Sequence, residues 1–156
     1  ITRIARFHNT YGPFGEFQGG KEKAPASICR KIIEAKLSGN SDIEIWGSGE
    51  QQRSFMYIDD CVEGIWRIMC SPDIDFPVNL GSAERVSINE LVNLTEEIAD
   101  TTVKRIYDLG ASVGVMGRNS DNSLLRSHLD WEPTFPLAEG LKHTYSWIFE
   151  QILREV

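Results

Sequence analysis

Ile28, Ile32, Ile33 and Leu37 recur at the spacing of one helical face and predict a helix from about Ala24. Pro25 stands in its first turn and Gly39 just past its end, the usual punctuation of a helix. The same spacing in Val62, Ile65, Trp66 and Met69 predicts a helix over 60–70 with one apolar face, ended by Ser71-Pro72-Asp73. Asp59 and Asp60 are placed to cap it. Ser87-Ile88-Asn89-Glu90 is a capping box opening a helix to about Ala99. Leu124, Leu125 and Leu129 mark a short helix. Leu137, Leu141, Tyr145, Ile148 and Ile152 line one side of a last helix begun at Pro136. Shorter apolar runs between turn residues predict strands over 1–7, 43–46, 54–58, 77–81 and 103–107. The result is a mixed α/β chain with short strands, one domain, no internal repeat and no low-complexity segment.

The opening strand is already under way at Ile1 and the last helical pattern is still running at Val156, which predicts a piece of a longer polypeptide. The 156 residues suffice for one domain with a core, and 41% hydrophobic with 25% charged is ordinary for a globular protein. The net charge of -7 argues against nucleic acid or an anionic membrane as partner, each of which needs a basic patch. It leaves room for a small anionic ligand held by a few local cations. No apolar run is long enough to span a bilayer. Cys29, Cys61 and Cys70 have no metal-like spacing and fall in predicted helices, so buried free thiols in a reducing, cytoplasmic setting are expected.

Four clusters carry candidate chemistry. Arg6-Phe7-His8-Asn9-Thr10-Tyr11-Gly12-Pro13 is a strand running into a turn, which places side chains at the carboxyl edge of a sheet, where open α/β folds bind ligands. Gly19-Gly20-Lys21-Glu22-Lys23-Ala24-Pro25 ends a long loop at a helix start. A lysine there meets a helix dipole that disfavours its charge. Such a lysine is either simply exposed or suited to acid–base work. Arg53 follows the glycine-rich turn Gly47-Ser48-Gly49 at the mouth of an apolar run. Its planar fork suits a pair of phosphate oxygens, although a hairpin arginine facing water reads the same way. Arg118 follows the flexible Gly117, and two such arginines suit a diphosphate.

In this order the clusters resemble the C-terminal half of an extended short-chain dehydrogenase/reductase of the NAD-dependent epimerase/dehydratase family. The carrying stretches are Arg6 to Pro13, Arg53 to Asp60, Pro77-Val78-Asn79-Leu80-Gly81 and Leu129-Asp130-Trp131-Glu132-Pro133. Narrower signs are similar to the branch that epimerises GDP-mannose at C3 and C5. They are Tyr11-Gly12-Pro13-Phe14-Gly15, Gly19 to Ala26, Cys29-Arg30-Lys31, Gly117 to Asn122, and Thr144-Tyr145-Ser146-Trp147-Ile148. Two positions depart from the pattern: Gln52, where threonine is usual, and Met116, where an arginine is expected.

The resemblance implies the α/β, Rossmann-type fold of that family, with residues 1–7 a strand of the parent sheet and 1–156 the nucleotide-sugar-binding portion. It implies Lys23 as the catalytic lysine. It implies Asn9, Glu22, Lys23, Ala24, Lys31, Gln51, Gln52, Arg53 and Arg118 as substrate contacts, with Arg118 toward the diphosphate. NAD is the implied cofactor, and a homodimer formed through the other half is the implied assembly. NAD would take a hydride from the sugar C4, the ketone would acidify the C3 and C5 protons, and Lys23 with a cysteine elsewhere would exchange them. The chain has no glycine triplet of dinucleotide-binding spacing and no tyrosine followed four residues later by lysine. Those parts are expected N-terminal to Ile1, which leaves the isolated piece inactive. A 4-epimerase, a 4,6-dehydratase, a decarboxylase of the same family and a non-catalytic sugar-nucleotide-binding fragment stay open as alternatives.

Overall fold

The computed structural model describes residues 2–155. In chain order it contains β1 (Ala5–Phe7), β2 (Thr10–Tyr11), α1 (Ala24–Ser38), β3 (Asp42–Trp46), β4 (Gln52–Arg53) and β5 (Met56–Tyr57). There follow α2 (Ile58–Cys70), β6 (Val78–Leu80), β7 (Val86–Ser87), α3 (Ile88–Ala99), β8 (Lys104–Asp108), β9 (Gly117–Arg118), α4 (Ser123–Leu129) and α5 (Leu137–Glu155). The strands form small separate sheets. β1 pairs with β6, β2 with β5 and β3 with β8, all parallel, while β4 lies between antiparallel β7 and parallel β9.

Two apolar clusters hold these pieces together. The larger lies among α1, α3, α5 and β3 and contains Cys29, Ile32, Ile33, Ile45, Leu91, Val92, Leu141 and Ile148. The smaller lies under α2 and α4 against β6 and contains Met56, Cys61, Ile68, Val78, Leu80 and Leu125. Ile58 touches both, which ties them at the point where β5 runs into α2.

Local chemistry explains the helix ends. Ser87 Oγ accepts the Glu90 N–H at 3.1 Å, and Glu90 Oε2 accepts the Ser87 N–H at 2.7 Å, so the expected capping box opens α3. Gly39 ends α1 in the left-handed region, at φ 72°. Asp59 and Asp60 do not cap α2. Strand passes directly to helix at Tyr57, so both fall inside the first turn, and the Asp60 carboxylate instead accepts the Phe135 N–H at 2.7 Å.

Four other expectations are corrected. Residues 2–4 lie outside any strand and Ile1 lies outside the described residues; the strand is residues 5–7, and it finds a partner in this chain, β6. The turn after Trp46 does not close a hairpin, because β3 pairs with β8 and β4 with β7 and β9. The apolar face of α2 is not covered: Val62, Ile65, Trp66 and Met69 are exposed, Trp66 by 59%, while Cys61, Gly64 and Ile68 pack inward. Cys70, at the end of that helix, is exposed, whereas Cys29 and Cys61 are buried.

Gly64 is required where it stands. A Cβ there would lie 2.5 Å from Leu80 Cδ1 and 3.1 Å from the Trp131 ring, so its absence lets α2 sit directly on β6.

Candidate functional site

The principal cleft has a volume of about 590 Å³ and opens between the start of α1, the end of β3 and the β4–β5 segment. Asn9, Glu22, Lys23, Ala24, Lys31, Gln51 and Arg53 all line it, although they come from four separate stretches of chain. Gln52 and Arg118 are not in its wall. Gln52 alternates away from Arg53 along β4 and pairs with Ser87 and Gly117. Arg118 is the parallel partner of Arg53, so the two leave the sheet on the same face.

Each wall has a local cause. Asn9 holds φ 41°, a conformation asparagine tolerates, and its Nδ2 donates to Ser54 O at 3.0 Å while its own carbonyl accepts the Met56 N–H. That clasp fixes the end of β1 to the segment before β5. Lys23 is the N-cap residue of α1 and is exposed at the cleft mouth. Lys31, two turns further on, donates to Glu44 O at 2.7 Å. Burial holds the Lys31 amine below the usual lysine range, with the neighbouring Glu44 opposing. Arg53 donates to Gln52 O at 2.7 Å and Val113 O at 2.8 Å, which pins its guanidinium at the cleft edge.

The cleft also holds unspent acceptors. Gln51 is buried and donates Nε2–H to Trp46 O at 2.8 Å, which leaves Oε1 buried without a partner. Glu22 Oε1 accepts from Arg30 Nη2 at 3.2 Å, and Oε2 is buried without a partner. Burial pushes the Glu22 carboxyl up, but the nearby backbone N–H dipoles and the Arg30 guanidinium outweigh it and hold the group below the usual carboxylate range. Buried oxygens left unpaired cost free energy until a donor arrives. Lys23, Lys31 and Arg53, with two waiting acceptors, suit a ligand that is anionic at one end and carries hydroxyl or N–H donors at the other.

At the carboxyl end of β1, His8 lies near Arg118. Burial, and then the Arg118 charge, hold its imidazole below the ordinary histidine range. Among the described residues no cluster of three or more potential metal ligands occurs. No helix there is long and apolar enough to cross a membrane.

Sequence reasoning missed Trp46, Phe55, Val113 and Arg30, which also line the cleft. Trp46 carried a signal. β3 alternates exposed Asp42, Glu44 and Trp46 with buried Ile43 and Ile45, so the tryptophan falls on the polar phase.

The chain matches the family model "NAD dependent epimerase/dehydratase family" over residues 2–81. It is 48% identical over 153 residues to GDP-mannose 3,5-epimerase 1 of Oryza sativa subsp. indica, covering 98% of this chain and 39% of that protein. The GDP-mannose 3,5-epimerase of Arabidopsis thaliana gives the same figures. The chain thus spans about two fifths of the length of these relatives. Among solved structures, UDP-glucose 4-epimerase from Thermotoga maritima with UDP-glucose superposes with a TM-score of 0.84 at 25% identity, over 96% of this chain and 46% of that one. The mixed α/β architecture and the sequence match over residues 2–81 agree: the chain belongs to the NAD dependent epimerase/dehydratase family.

Proposed function

We propose that this chain is the substrate-holding, C-terminal portion of a cytoplasmic GDP-mannose 3,5-epimerase and that Lys23 is its acid–base lysine. The observation that carries the reading is the single cleft joining Glu22 and Lys23 at a helix start to Lys31, Gln51 and Arg53. Lys31 and Arg53 supply charge for a nucleoside diphosphate. The unpaired Glu22 Oε2 and Gln51 Oε1 supply acceptors for sugar hydroxyls or base N–H groups. Lys23, with no cap role for its side chain, is free to reach a sugar carbon. Arg118, on the same sheet face as Arg53, extends the cationic edge beyond the cleft. The sequence identity to the two plant enzymes supports the choice of sugar nucleotide.

The family's NAD supplies reversible oxidation of the sugar when bound. Among the described residues, no strand–turn–helix unit carries the glycine spacing its pyrophosphate needs, so we assign most of the cofactor's contacts to the other half of the protein. We place the cofactor on an N-terminal half that continues the β1–β6 sheet and carries the homodimer contact. Two features favour that placement. His8 N–H bonds Leu80 O and Val78 N–H bonds Ile4 O, so in a parallel ladder the peptide groups of Ala5 and Phe7 point to an open edge. Purely parallel sheets are buried ones, whereas Phe7 of β1 is 55% exposed here.

The test follows deuterium entering GDP-mannose by NMR in deuterated water, with the full-length enzyme and its Lys23→Ala variant. A positioned proton-transfer group is worth about 10²–10⁴-fold, so exchange at C3 and C5 is expected to fall by that order while C4 oxidation persists. Wild-type uptake in the variant removes Lys23 from the chemistry. No uptake in the wild type with GDP-mannose moves the protein to a 4-epimerase, dehydratase or decarboxylase.

A further inference from the structure

The loop that delivers Glu22 and Lys23 has little packing of its own. Gly19 and Gly20 both hold positive φ, at 87° and 82°, and an added Cβ would meet nothing within 4 Å at either. Phe14, earlier in the loop, is 89% exposed. Upstream, the loop is anchored at Phe17, which is buried edge-on against Trp147 at 5.5 Å between ring centroids. Between Phe17 and the start of α1 the ties converge on one side chain, Arg30.

Arg30 projects from the second turn of α1 and uses all three guanidinium nitrogens. Nε donates to Phe17 O at 2.9 Å, Nη2 to Glu22 Oε1 at 3.2 Å, and Nη1 to both Glu34 oxygens at 3.1 and 2.9 Å. Glu22, held this way, keeps its side chain at the loop's acidic end only 8% exposed. One planar fork thereby fixes the start of the loop segment and its acidic end, on either side of the glycine turn. Glu34, one turn further along the helix, orients the fork. A lysine at this position brings a single point of charge and cannot hold the Phe17 carbonyl, Glu22 and Glu34 together.

We propose that Arg30 is the positioning residue of the site, setting Glu22 and Lys23 over the cleft without acting on substrate itself. This rests on the proposed function only for what the cleft binds; the bracing of the loop stands apart from it. Arg30→Lys and Arg30→Gln therefore release the loop, the lysine failing to rescue although it keeps the charge. Glu34→Gln has a smaller effect, because it removes only the orienting partner.

The experiment is hydrogen exchange followed by mass spectrometry on the full-length enzyme, with Arg154→Lys, an exposed ion pair on α5, as control. Amides of residues 18–23 are expected to exchange roughly tenfold faster or more in both Arg30 variants, with α3 amides and the thermal midpoint unchanged. Wild-type loop exchange in Arg30→Lys overturns the proposal. So does an acceleration spread evenly over the chain, which makes Arg30 a general stabiliser. The second measurement is acylation of Lys23 with and without GDP-mannose. Protection in the wild type that is lost in Arg30→Lys supports positioning, and protection kept in that variant overturns it. No protection in the wild type counts against the GDP-mannose reading, and loop exchange then decides Arg30 alone.

Discussion

Arg53 and Arg118 are register partners across the parallel β4–β9 pair, so two guanidinium side chains separated by more than sixty residues of sequence leave one sheet face side by side. Arg53 reaches the cleft edge and is tied to Val113 O, whereas Arg118 lies toward His8, beyond the cleft wall. An anion lying across both strands meets both charges. Alanine at either position is expected to weaken GDP-mannose binding to the full-length enzyme by about 1.5–3 kcal/mol, the range for hydrogen bonds to charged groups. Isothermal titration of each single variant and of the double checks this. Unchanged binding in Arg118→Ala alone would confine the anion to the Arg53 side.

Gly64→Ala tests the seating of α2. The added methyl meets Leu80 and Trp131, and overpacking costs about 1–3 kcal/mol, against about 1 kcal/mol gained in helix propensity. A net loss of stability in urea unfolding is expected. A gain would mean that α2 has room to lift from β6.

Burial pushes the Cys29 thiol up to about 12. The unfolded thiol ionises near ~8.5. A raised folded pKa contributes stability that is fully present below the unfolded value and is lost as pH rises from there toward 12. Unfolding midpoints measured at pH 7.5 and 10 are expected to fall less in Cys29→Ala than in the wild type. In the same samples a thiol reagent should modify exposed Cys70 first and Cys29 only on unfolding.

The exposed face of α2 gives a contrast within one helix. Trp66→Lys is expected to change the stability of the 156-residue chain by less than about 0.5 kcal/mol, as exposed positions do. Ile68→Ala, two residues on and buried, should cost about 2–5 kcal/mol. A large loss from Trp66→Lys in urea unfolding would show that this face is covered within the chain.

The sequence by itself determined what depends on neighbours along the chain. The faces of α1 and α5 and the capping box of α3 follow from residues a few positions apart, because helix hydrogen bonds and caps close locally. The glycine after α1 was legible for the same reason. Tertiary structure alone decided which strands meet, because a ladder such as β3 with β8 joins segments some sixty residues apart and neither carries a mark of the other. It also decided the fate of α2, whose periodicity announces an apolar face and says nothing about what covers it. The same limit applies to the site. Lys23 and Arg53 could be singled out by their settings in turn and helix start, but their meeting with Asn9, Lys31 and Gln51 in one cleft is a long-range event. Arg30 was the least legible, because an arginine one helical turn before a glutamate reads as a surface pair until the loop is seen folded back onto it.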